Sequence, residues 1–177
     1  VTDLPGADLP REVSTVRLRL ELVTYAEARG MLAGDRSPNF HPAYPRTDDL
    51  DAASMVRDDG SSWGPRHIVR AFDGLVVGGI GFFGPPEPAD DGVPEAEVGY
   101  GLVEDARGHG AATEAVQGLL ARTDALGVRV RASVLPENKP SVRVLAKCGF
   151  TSLRGSDQDG NLVMVRPLSS RPADRDR

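Results

Sequence analysis

Apolar and polar residues alternate from Val16 to Glu21: Val16, Leu18 and Leu20 are set against Arg17, Arg19 and Glu21. That pattern predicts a strand with one buried face. Arg66–Phe72 and Leu75–Phe83 are strand-like runs joined at Asp73-Gly74, a hairpin signal. Ala96–Val103 and Arg129–Leu135 read as further strands, and Thr151–Leu153 and Leu162–Val165 as a last pair around a turn at Asp157–Gly160. Helical spacing appears at Ala112, Ala115, Val116, Leu119 and Leu120. Thr24-x-x-Glu27 has the form of a capping box and predicts a helix running to about Leu32. Thr47 or Asp48 can cap a second helix over 49–58, and Val142–Lys147 reads as a short last one. Gly34–Pro45 is a loop, and proline-rich, acidic Gly84–Pro94 reads as an exposed hairpin loop.

In order the elements are β-α-α-β-β-β-α-β-α-β-β. Hairpin strands followed by a parallel crossover predict an α/β (mixed α+β) fold, a mixed sheet with helices on both faces. The length of 177 residues suits one domain, placed at 15–167. Residues 1–14, with Pro5, Gly6 and Pro10 and no periodicity, are expected to be a flexible arm, and polar 168–177 a disordered tail. A formal net charge of −5 argues against nucleic acid as a partner and is compatible with a cationic amine. The single cysteine, Cys148, cannot form an internal disulfide and reads as a buried packing thiol. His41, His67 and His109 lack metal-ligand spacing, so no metal is expected. No apolar run approaches transmembrane length and no signal peptide is visible, so no membrane association and a cytoplasmic location are expected.

The stretch richest in chemistry is Arg107 to Ala115, RGHGAATEA, between a strand and a helix. Gly108 and Gly110 remove side chains where a ligand must approach the backbone. The helix start adds free N–H groups and the positive end of the macrodipole, a setting for a phosphate or diphosphate. An ordinary βα turn is the other reading. Gly79-Ile80-Gly81-Phe82-Phe83-Gly84 also matches G-x-G-x-x-G, but it lies inside an apolar strand and runs into Pro85-Pro86. No helix can open there, so it reads as a glycine-rich strand and not a dinucleotide fingerprint.

With EVGY before the loop, Asn138-x-x-Ser141 after the next strand and Lys147-Cys148-Gly149-Phe150 behind it, the chain resembles the GNAT superfamily of acetyl-CoA-dependent N-acetyltransferases. Arg107-Gly108-His109-Gly110-Ala111-Ala112 fits that family's Q/R-x-x-G-x-G/A motif. The four pieces look most like the bacterial-type subfamily that acetylates N-terminal alanine or serine of ribosomal proteins. The resemblance is strongest over 95–152 and extends to roughly 16–166.

It implies a mostly antiparallel sheet splayed between its fourth and fifth strands, here 95–103 and 127–134, with the pantetheine arm in the gap. It assigns the cofactor's diphosphate to Arg107, Gly108, His109, Gly110, Ala111, Ala112 and Thr113. The backbone of Gly101, Leu102 and Val103 would pair with pantetheine amides, and Asn138 would bond the cofactor arm. Glu97 is the expected general base, with Glu95 and His109 behind it; a solvent-facing carboxylate is the plainer reading. The family's helical tyrosine is absent from Ser141–Lys147, which leaves Ser141 beside the departing sulfur or merely in a helix terminus. Phe40, His41, Tyr44 and Trp63 are acceptor-side candidates, because the first helices and their loop usually line that groove. The implied activity is acetyl transfer by direct attack of a primary amine, a protein N-terminus or a small molecule. A non-catalytic acyl-CoA-binding module and transfer of a longer acyl group such as succinyl are the rivals. A homodimer is left open.

Overall fold

The computed structural model describes residues 8–168. In chain order they form β1 (Glu12–Ser14), β2 (Leu18–Leu22), α1 (Tyr25–Ala33), α2 (Thr47–Ser54), β3 (Pro65–Arg70), β4 (Val76–Phe82), β5 (Glu87–Pro88), β6 (Pro94–Leu102), α3 (Ala111–Leu126), β7 (Arg129–Val134), α4 (Lys139–Lys147), β8 (Ser152–Ser156) and β9 (Leu162–Arg166). The Thr24–Glu27 capping box is formed at the start of α1 as its sequence predicts.

Four local expectations need correction. Of the expected arm, 1–7 lie outside the described residues, but 8–14 are docked. Leu9 and Val13 are buried, the Leu9 N–H donates to Ser62 Oγ, and β1 pairs with β2. A three-residue strand with one inward apolar side chain leaves no alternation to detect. Helix α2 is capped at Arg46, not at Thr47 or Asp48, because the Asp49 carboxylate accepts the Arg46 N–H; it stops at Ser54. Helix α4 starts at Lys139 and not at Val142: Asn138 Oδ1 accepts the Ser141 N–H at 3.3 Å, and Pro140 sits in the first turn. The acidic hairpin loop holds the two-residue strand β5, paired with β6. Of the expected tail, 169–177 lie outside the described residues.

The nine-stranded sheet runs β1-β2-β3-β4-β6-β7-β9-β8, with β5 on β6. Every pairing is antiparallel except β6 with β7. Alternation sorts its two faces. Leu20, Ile68 and Gly78 lie in register on the face that packs against α3, where a Cβ on Gly118 would stand 3.5 Å from Leu20. Glu21, His67, Gly79 and Gly101 lie in register on the opposite face, under α2.

That second face accounts for Gly79 of the G-x-G-x-x-G stretch. Gly79 and Gly101 are register partners; a Cβ on Gly79 would sit 2.4 Å from Asp49 Oδ1, and one on Gly101 2.1 Å from Arg46 Nη1. The Arg46–Asp49 pair, bonded through two contacts at 2.8 and 2.9 Å, lies flat on bare backbone. Gly79 and Gly101 thus make room for that pair, while Gly81 makes room for the backbone of Gly64 and Pro65.

Candidate active site

The site originates in a sheet that stops pairing partway. β6 and β7 pair only at Glu95↔Arg129, Ala96↔Val130 and Glu97↔Arg131. Beyond that, β6 runs on to Leu102 and β7 to Val134 without a shared ladder. Phe83 N–H donates to Glu97 C=O and Val103 N–H to Val77 C=O, so the odd-numbered residues from 97 to 103 turn their main chain to β4. Strand alternation then turns Val98, Tyr100 and Leu102 toward the gap. Of the three residues expected to pair with an amide-bearing arm, Gly101 and Val103 face the wrong neighbour, and Leu102 C=O takes Arg107 Nε at 3.1 Å. The open edge is instead centred on Val98 and Tyr100. Buried main-chain groups need partners, and an extended ligand carrying amides would supply them.

At the outer end of this edge lies the glycine loop. Gly108 and Gly110 both take positive φ, 81° and 80°, a conformation that favours glycine. A Cβ on Gly108 would meet nothing within 4 Å, so the loop faces open space. Gly110 is the N-cap of the sixteen-residue α3 and offers no side chain to its free N–H groups. Ala111, Ala112 and Thr113 form that first turn, and His109 lies exposed between the two glycines. The concave run of N–H groups at the positive end of a long helix fits an anion such as a diphosphate. An unanticipated clamp fixes it. Glu114 accepts from Thr15 Oγ1 (2.6 Å), Arg17 N–H (2.7 Å) and Arg17 Nε (2.7 Å), while Arg17 Nη1 donates to His109 C=O at 2.9 Å. Burial alone would raise the Glu114 pKa, but the bonds from Thr15 and Arg17 outweigh it and hold it below the usual range. Ninety-odd residues separate these partners, so no local pattern reveals them.

A cavity of about 930 Å³ opens between the splayed strands and α2. Glu97, Tyr100, Asn138 and Ser141 line it. Glu97 is half-buried and its carboxylate is ion-paired with Arg131 Nη2 at 3.0 Å, across the last paired rung. Glu95 is consumed structurally: Arg129 Nε donates to it at 2.5 Å and Arg154 at 2.7 and 2.8 Å. At the α4 end, the Tyr100 hydroxyl donates to Ser141 C=O at 3.2 Å, and Asn138 caps the Ser141 N–H. Neither bond uses the Ser141 hydroxyl. Burial pushes the Tyr100 phenol up to about 12. Cys148 is buried with its Sγ on Thr113 C=O, as a packing thiol should be.

The acceptor candidates divide. Tyr44 and Trp63 line the cavity, but both are buried: the Tyr44 hydroxyl is bonded to His67 Nδ1 at 2.8 Å, and the Trp63 ring packs on Phe82 at 4.9 Å. Phe40 and His41 are not among its lining residues. Phe40 packs on Tyr44 and His67, and His41 Nε2 stands 3.5 Å from Asp105. The lining also includes three exposed apolar side chains, Met55, Phe83 and Leu135, and the carboxylates of Asp58 and Asp157. Among the described residues no cluster of His, Cys, Asp and Glu could hold a metal, and no helix is long and apolar enough to cross a membrane.

The family model described as the Acetyltransferase (GNAT) domain matches residues 17–151. Among solved structures, a protein of Bordetella pertussis assigned to the GnaT-family acetyltransferases is 27% identical, with 89% of this chain and 100% of that one covered and a TM-score of 0.59. A ribosomal-protein-S5-alanine acetyltransferase from Vibrio fischeri is 14% identical, covers 91% and 98%, and has a TM-score of 0.61. The microcin C7 self-immunity acetyltransferase, solved with acetyl-CoA and AMP, is 16% identical, covers 92% and 97%, and has a TM-score of 0.60. At such identities the last two share the fold alone. No curated protein matches the chain.

Proposed function

The chain belongs to the GNAT acetyltransferase family, and from that premise we propose that it transfers acetyl from acetyl-CoA to a primary amine by direct attack. The observation that carries this reading is the β6 edge left open beyond Glu97↔Arg131, with the glycine loop at one end, Glu97 at the other, and the Tyr100 side chain reaching from its middle to Ser141. Acetyl-CoA supplies the activated thioester. The loop N–H groups from Gly108 to Thr113 hold the diphosphate, and the main chain of Val98 and Tyr100 holds the amide-bearing arm. Glu97 takes the proton of the attacking ammonium, directly or through a water, with Arg131 fixing its carboxylate. Asn138 and Ser141 border the sulfur. A lone buried cysteine packed on Thr113 gives no support to an acetyl-enzyme. The acceptor enters past the exposed lining residues Met55, Phe83 and Leu135, and the carboxylates of Asp58 and Asp157 on the same cavity suit a cationic amine.

The test is thiol release from acetyl-CoA across peptides with varied N-termini and small amines, with wild type beside Glu97→Gln. At least one amine should give turnover, and Glu97→Gln should lower it by about 10²- to 10⁴-fold. That loss should shrink as pH rises and free amine becomes abundant. CoA binding without turnover on any amine would favour the non-catalytic binding module. Equal turnover of the variant across the pH range would remove Glu97 as the base.

A further inference from the structure

Tyr100 lines the cavity together with Glu97, Asn138 and Ser141, and no part of the family motif assigns it a task. It lies past the last paired rung of β6, with its main chain on the open edge and its side chain reaching α4. Its hydroxyl donates to Ser141 C=O at 3.2 Å. That is long for an O–H···O bond, whose usual length is about 2.7–2.8 Å. Ser141 C=O lies within the first turn of α4, where an i+4 N–H partner is provided by the helix, so the phenol can leave without orphaning it. Tyr44, the other tyrosine lining the cavity, is almost fully buried and its hydroxyl is fixed on His67. Helix α4 supplies no acid of its own: the cavity-lining residue beyond Ser141 is Leu145, buried and apolar.

We propose that Tyr100 is a catalytic residue whose hydroxyl turns from Ser141 C=O to the sulfur of the departing CoA. This rests on the acetyl-transfer reading above. As the amine nitrogen bonds to the acetyl carbon, the carbon–sulfur bond breaks and its electron pair goes to sulfur. The proton lost by the amine goes to Glu97 or solvent. The thiolate is held by the Tyr100 O–H until it is protonated from solvent, so amine and thioester give amide and thiol. A phenol is protonated at neutral pH, and burial raises its pKa further, so the O–H is present as a donor when the thiolate forms.

The experiment uses free CoA as the probe and needs no acceptor. Calorimetry gives CoA affinity, and the ultraviolet absorbance of the thiolate in the complex gives the pKa of the bound thiol. In the wild type that thiol should titrate below free CoA, and Tyr100→Phe should raise its pKa by about one to two units. A fluorinated tyrosine placed at position 100, a stronger donor of nearly the same shape, should lower it further, which separates the role from simple loss of folding. CoA bound normally by all three proteins with an unmoved thiol pKa would overturn the assignment of Tyr100 alone. Failure of the folded wild type to bind CoA would overturn the acetyl-transfer reading and this inference with it.

Discussion

Asn138 and Ser141 match a motif together, yet they act differently in the fold. Asn138 Oδ1 caps α4 by accepting the Ser141 N–H, whereas Ser141 gives only main-chain groups to its neighbours. Losing such a cap costs typically about 1 kcal/mol. Asn138→Ala should therefore lower stability in urea unfolding by roughly that amount. Ser141→Ala should leave stability nearly unchanged and lower turnover, by less than Tyr100→Phe does. A stability loss in Ser141→Ala with full turnover would return the serine to a purely structural place. The N-x-x-S spacing was legible, but not which member capped the helix, because Val142–Lys147 carried the visible apolar spacing and the true first turn, Lys-Pro-Ser, has none. Tyr100 lay in plain view within EVGY. Its partner is 41 residues away, on another element, so only the folded chain brings the two together.

At the scale of elements, the glycine loop was readable because its cause is local: two positive-φ glycines and a helix that opens at once. The β4 glycines were readable as strand glycines but not as a seat for Arg46 and Asp49, since that contact joins α2 to two strands. The tightness there is open to test. Gly101→Ala places a methyl 2.1 Å from Arg46 Nη1, and Gly79→Ala one 2.4 Å from Asp49 Oδ1, against a pair that is already hydrogen-bonded. Each should destabilise by about 1–3 kcal/mol, the usual range for overpacking. Gly64→Ala is the control: its Cβ would make an ordinary 3.8 Å contact with Leu22. It should be neutral, or slightly stabilising through the unfolded chain. Equal unfolding midpoints for all three variants would mean that the Arg46–Asp49 pair moves aside freely and that the glycines have some other reason.

For the whole molecule, the buried charged groups set how it answers to acid. His67 is almost fully buried, and burial pushes its pKa below 6.5 even though Glu27, Glu21 and Asp49 pull the other way. Glu95 is opposed by burial too, but the bonds from Arg154 and Arg129 prevail and bring it below 4.5. Glu114 shifts in the same direction. In each case the unfolded chain takes up protons at a higher pH than the folded one, so stability rises with pH through these windows. The His67 contribution is whole above 6.5 and is lost as pH falls through its lower folded value. The carboxylate contributions are whole above 4.5 and are lost below it. Urea midpoints should therefore fall in two stages, gently from about pH 6.5 and steeply below about pH 4.5. His67→Gln should flatten the first stage and leave the second. Glu114→Gln should weaken the second and also lower CoA affinity, because Glu114 anchors the Arg17 that holds His109 C=O in the cofactor loop. A wild-type midpoint that stayed level down to about pH 5 would show that His67 is protonated in the folded state without strain.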